Sequence, residues 1–243
     1  GDDSTAYGTG LTSNDTLNSG LGDDSMTATM AAGAAAPAIT NTETAELNFA
    51  VAGSTWSHIN VDDMTTIKTA ALSDEAVTLA NLDATVATVR IGSTASGAAG
   101  DAASLTWKAG SDSAHTVLIG DSTATAAADV DVGILTVTGN AGALSLTSDQ
   151  LTGNSAYQLT ANTATSLSVL STLGLELDAA GAGNGVLNAT SATSATFTSG
   201  GGAIVIDGAS DLRAATAITY DAANGAITQT GATTATAMET LTI

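Results

Sequence analysis

The chain has 243 residues, room for one large domain or two small ones and for a buried core. Aromatics make up 3%, proline occurs once (Pro37) and cysteine not at all, which excludes disulfides, thiolate metal sites and cysteine nucleophiles. Acidic residues outnumber basic ones 24 to 4; the formal charge of −20 repels nucleic acid and anionic membrane surfaces and attracts divalent cations.

No basic-then-apolar leader is visible, and no apolar run approaches the roughly 18 residues of a membrane helix. Apolar residues make up 44%, much of it alanine, with Thr, Ser, Gly and Asp filling the rest. Such a composition favours thin layers and close backbone approach, hence a stacked β architecture.

The first thirty residues carry three related acidic, glycine-containing segments. "SGLGDDSMT" (19–27) fits G-G-x-G-x-D-x-U-x, with U apolar, through Gly20, Gly22, Asp24 and Met26. "GLTSNDTLN" (10–18), one nine-residue repeat earlier, fits through Gly10, Asp15 and Leu17; "GDDST" (1–5) fits its second half, with Gly1, Asp3 and Thr5 in place. Leu11, Ser13 and Ser19 stand where the pattern has glycine. Glycine permits the positive φ of a tight turn, and turn carbonyls with an aspartate carboxylate offer oxygens to a hard cation. The candidate ligands are Asp24, Asp15, Asp23 and Asp3 with Gly20 and Gly22, and the ion is Ca2+. The half motif at Gly1 reads as the tail of a preceding copy, so the chain is expected to be a segment of something longer.

"TATMAAGAAAPA" (27–38) is the best helical candidate, though Gly33 and Pro37 interrupt it. Beyond it, short alternating segments bounded by Gly, Asn, Asp or Ser predict strands at 45–51, 85–91, 104–109, 115–120, 133–139, 143–148, 203–208 and 238–243. Equivalent apolar residues recur every 20–23 positions: Leu47/Ile67, Ile67/Val89, Leu144/Leu167, Leu175/Phe197, Ile204/Ile227 and Ile218/Leu241. That step, holding two or three strands, predicts coils of a parallel β-helix (β-solenoid) with inward ladders. "NTETAELNFA" (41–50), "DDMTTIKTAA" (62–71) and "TAMETLTI" (236–243) share a Thr/Glu-rich lead-in and support the period. The alternative fold is a β-sandwich, against which stand the scarcity of Asn-Gly and Asp-Gly turns and of large rings.

Catalytic patterns are lacking: no G-x-S-x-G, no P-loop, no H-E-x-x-H. His58 and His115 read as structural. "DGASDLR" (207–213) places Asp207, Asp211 and Arg213 together, the residue types of a β-helix polysaccharide lyase, and is the only such cluster. Asp62-Asp63, Asp129/Asp131 and Asp207/Asp211 read as solvated turn faces; Asp129 and Asp131 alternate and so share one side of a strand, where a shared cation is the alternative. Trp56 and Trp107 are candidates for stacking on sugars, or else fill the coil.

At Asp15-Thr16-Leu17, Gly20, Gly22, Asp24 and Glu43-Thr44 with Leu47, the chain resembles RTX-type calcium-binding bacterial S-layer proteins and large RTX adhesins. Met238-Glu239-Thr240-Leu241 repeats the second half of that block. The resemblance implies export to the bacterial cell surface, folding assisted by calcium, and assembly with copies of itself into a layer or fibre. The expected organisation is calcium-binding turns over 1–30 and a β-solenoid over 31–243. The expected role is structural rather than enzymatic, with an adhesin module for cell-surface glycans as the alternative, and with neither nucleic-acid binding nor membrane insertion.

Overall fold

The computed structural model describes residues 1–51, 53–69, 76–92, 102–120, 132–148, 155–178 and 186–243. The described residues are all strand, turn and loop, with no helix. The alanine-rich segment 27–38 is not helical: Ser25–Met30 and Ala34–Ala35 are strands, with Gly33 at φ +89° between them. Alternation decides this. Met26, Ala28 and Met30 point inward while Thr27 points out, a period of two that no helix face could bury.

All eight segments expected to be extended contain a strand: Thr44–Asn48, Thr88–Ile91, Ala102–Ser111, His115–Ile119, Ile134–Asn140, Ala143–Ser148, Ile204–Asp207 and Thr240–Thr242. Every pairing among the described residues is parallel. One sheet holds eleven strands in chain order, from Ser4–Leu11 to Thr240–Thr242; a second holds nine, a third four and a fourth two. Neighbours in the long sheet are never consecutive in the chain, because a parallel partner must be reached by a crossover. This topology of stacked parallel sheets is compatible with a β-helix and removes the sandwich alternative, which is built from antiparallel hairpins.

Register turns the sequence into columns. Ser4, Ser25, Thr44, Thr66, Thr88, Thr116, Ser145, Ser168, Thr196, Thr219 and Thr242 occupy one line across the long sheet, all Ser or Thr, all half-buried or exposed. The next position, on the other face, runs Met26, Ala45, Ile67, Val89, Val117, Leu146, Val169 and Phe197, all buried. β-branched hydroxyl residues suit the pleated outer face, and apolar ones fill the inside. In the second sheet the inward line is Ala35, Trp56, Leu79, Leu105 and Val137, the largest ring lying between the smallest side chain and a leucine.

Four of the six expected apolar pairs are register partners: Ile67 with Val89, Leu144 with Leu167, Ile204 with Ile227, and Ile218 with Leu241. Two are not. Ile67 pairs with Ala45, two residues before Leu47; Leu175 pairs with Ile204, and Phe197 with Val169 and Tyr220. Leu175 and Phe197 belong to different sheets, a distinction that equal spacing cannot reveal. Within the long sheet the step between partners also varies, from Ser25 to Thr44 (19 residues) up to Thr116 to Ser145 (29 residues). The three longest steps each span a segment outside the described residues, 93–101, 121–131 and 179–185.

Phe197 is fully buried, and its ring stacks on that of Tyr220 with centroids 5.2 Å apart. Phe197→Ala is expected to cost about 3–5 kcal/mol, whereas Thr196→Ala, one residue away on the outer face, should cost under about 1 kcal/mol. Urea unfolding of both variants measures the contrast.

Candidate metal centre

The candidate ligands fall on two corners of the chain path. Asp15 precedes the strand Thr16–Asn18, which pairs with Ala38–Thr40 in the two-stranded sheet. Its carboxylate is occupied by its own turn: Oδ2 accepts from the Thr12 amide at 2.7 Å and the Thr12 hydroxyl at 3.1 Å. Asp24 precedes Ser25–Met30 in the long sheet. The nine-residue step from one to the other therefore leads from one sheet to another, and Asp15 and Asp24 are not stacked equivalents.

The residue stacked on Asp24 is Asp3, 21 positions earlier, since Ser4 pairs with Ser25. On the other side stands Glu43, since Ser25 pairs with Thr44. Strands stack about 4.8 Å apart, so three acidic residues line one corner of three successive repeats. The backbone absorbs part of this charge. The Asp3 amide donates to Asp24 Oδ1 at 2.5 Å, and the Asp24 amide donates to Glu43 Oε2 at 2.6 Å. The Asp24 carbonyl accepts from the amides of Glu43 and Thr44 at 3.1 and 3.2 Å.

One atom is left over. Asp24 is 1% exposed, and its Oδ2 is buried without a hydrogen-bond partner. A buried carboxylate oxygen left unpaired is costly. The Glu43 carboxylate, which accepts from the Asp24 amide, is half-buried. A hard cation binds oxygen ligands of this kind, carboxylate and carbonyl together. The orphaned Asp24 oxygen is of the kind calcium takes, and among the described residues no three His, Cys, Asp or Glu side chains converge as a ready set.

The other candidates shape the turn. Asp23 is exposed, and its amide donates to Asp2 Oδ1 at 3.3 Å. Gly20 adopts φ +99°, with its amide donating to Asn18 Oδ1 at 3.1 Å. Gly22 has φ +141°, and a Cβ there would lie 2.5 Å from the Gly1 carbonyl oxygen. Glycine is thus required at 22 on both counts. Glu43 was not singled out from the sequence as a ligand. The signal for it is an acidic residue followed by Ser or Thr, recurring as Asp3-Ser4, Asp24-Ser25 and Glu43-Thr44 at steps of about one repeat.

Elsewhere the candidate chemistry is already satisfied within the protein. Arg213 Nε donates to both Asp211 carboxylate oxygens at 3.0 and 3.2 Å, and this guanidinium holds the Asp211 carboxyl below its ordinary range. Asp207 Oδ1 accepts from the Thr230 hydroxyl. Trp56 and Trp107 are buried, so neither presents a ring to a sugar; both fill the interior. Asp129 and Asp131 lie outside the described residues. No protein-family model, curated protein or solved structure matches the chain.

Gly22→Ala is expected to detach the first strand and leave the rest folded. Hydrogen exchange should show the amides of residues 4–6 losing at least tenfold in protection, with those of Ser166–Ser171 unchanged.

Proposed function

We propose that the chain is a structural segment of an extracellular bacterial surface protein: a calcium-stabilised β-solenoid that assembles with copies of itself into a layer or fibre. The observation that carries the calcium reading is the orphaned, buried Oδ2 of Asp24, a residue whose amide donates to the Glu43 carboxylate. Support for a structural role comes from the uniform parallel stacking and from the absorption of reactive side chains into internal contacts. With a chain of charge −20, calcium at an acidic corner both offsets repulsion and ties successive repeats together.

The last repeat described presents a surface that a further repeat would cover. There Ile218, Tyr220, Ile227, Met238, Leu241 and Ile243 line an apolar cleft of about 400 Å³. Leu241 is 51% exposed, and the outermost strands of the long sheet each leave one edge unpaired in the chain as described. Unpaired strand edges pair readily. Further repeats of the same kind, whether in the same chain or in another copy, would close them with the same register.

Two measurements test the reading. At free calcium a hundredfold above its dissociation constant, one site adds about 2.7 kcal/mol of stability. Thermal unfolding is expected to shift upward with calcium and back with chelator, and Asp24→Asn should abolish the shift. An unfolding curve indifferent to calcium would remove the metal from the reading. Sedimentation is expected to show association that Leu241→Lys weakens, and a monomer both with calcium and with chelator counts against assembly.

A further inference from the structure

Residues from three successive repeats converge on one turn, Asp83–Val86, which joins the strands Val77–Leu82 and Thr88–Ile91. The turn closes on itself through the Val86 amide donating to the Asp83 carbonyl at 3.1 Å. From the preceding repeat comes His58, fully buried, with neither ring nitrogen in a hydrogen bond and Nδ1 3.4 Å from Asp83 Oδ2. From the following repeat come Lys108, whose Nζ lies 2.5 Å from Asp83 Oδ1, and Trp107, whose Nε1 donates to the Val86 carbonyl at 3.2 Å. His115 places Nδ1 3.0 Å from that same carbonyl, and its ring lies 4.5 Å from the Trp107 ring. A carbonyl only accepts, so Nδ1 of His115 carries the hydrogen.

We propose that this turn is acid-sensitive: two buried histidines, one from each flanking repeat, pack against Asp83–Val86 while neutral, and the turn opens when they are protonated because their buried sites do not solvate an imidazolium.

The two histidines are the only ones in the chain, and both act on four residues. This packing is independent of calcium and of assembly. Burial is the leading influence on each ring and disfavours the imidazolium. At His58 the carboxylates of Asp83 and Asp62 oppose burial and the ammonium of Lys108 reinforces it; the balance holds His58 below its ordinary value. At His115 burial again prevails, opposed by the Val86 carbonyl. Asp83 turns Oδ2 to His58 and Oδ1 to Lys108, so a protonated His58 would share one carboxylate with the ammonium.

The sign follows from linkage. With folded values below the unfolded value of about 6.5, the open turn binds more protons than the closed one below that pH. The closed turn is therefore at full strength above about pH 6.5 and weakens as pH falls.

Hydrogen exchange of the whole chain at pH 7.5 and pH 5.0, corrected for intrinsic rates, tests this. Protection at residues 83–88 is expected to fall at least tenfold at the lower pH, while protection at Ala143–Ser148 holds. His58→Asn with His115→Asn keeps a neutral donor at each site and should abolish the fall. Lys108→Met removes the ammonium that adds to burial in lowering His58 and should shrink it. An equal fall in the double variant, or no fall in the unsubstituted chain, overturns the proposal. Should the double variant not fold, an NMR titration of the unsubstituted chain decides. Both rings titrating below 6.5 as residues 83–88 lose protection supports the proposal; titration at or above 6.5 with protection intact overturns it.

Discussion

The structure depends on in-register parallel pairing between repeats. Each strand of the long sheet donates to and accepts from strands one repeat away, so whatever side chain one repeat places on a rung, the next must tolerate about 4.8 Å along the stack. Apolar residues meet this easily, and so do hydroxyls. The unbroken Ser/Thr line from Ser4 to Thr242 and the buried line from Met26 to Phe197 are both answers to that demand. Variation in size is absorbed along a line. Trp56 fits where Ala35 stands on one side of it, and Phe197 meets Tyr220 by stacking rings.

Charge meets the constraint less easily, because a parallel register sets like over like. On the outer face Lys68 lies between Glu46, an opposite charge, and Arg90, a like one. Arg90 turns its guanidinium to the Gly120 carbonyl, 2.5 Å away. At the acidic corner each carboxylate of the upper repeat accepts the amide of the repeat before it, a pattern seen from Asp3 to Asp24 and from Asp24 to Glu43. Asp24 Oδ2 is what this device leaves unsolved. Histidine is handled in the opposite way, through burial in the neutral form. Several ionisable groups thus tie one repeat to the next.

The sequence carried the architecture in local terms. Alternation located the strands, because a half-buried strand must show period two, and the recurrence of Leu and Ile identified four of six stacked pairs correctly. It failed where equal spacing had two meanings. Leu175 and Phe197 are 22 residues apart yet lie in different sheets, while the true partner of Leu175 is Ile204, 29 positions on. The alanine run from Ala31 to Ala36 has helix-forming composition, but its flanking strands are held by the sheets on both sides.

At the candidate metal centre, the residue types by themselves marked Asp24, Gly20 and Gly22 as a turn of special geometry, since glycine at positive φ and an adjoining carboxylate form a local signal. Which carboxylates neighbour one another was a matter of register alone. The nine-residue phase joined Asp15 to Asp24, but the fold assigns Asp15 to its own turn with Thr12 and stacks Asp24 between Asp3 and Glu43. Sequence therefore determined the extended state, the inward and outward faces and the acidic character of the N-terminal turns, all of which follow from side-chain chemistry over a few residues. Tertiary structure alone decided which repeat stands on which. It thereby left one oxygen of Asp24 unpaired and brought His58 and His115 to a single turn, because those outcomes rest on hydrogen bonds between residues 19 to 29 positions apart.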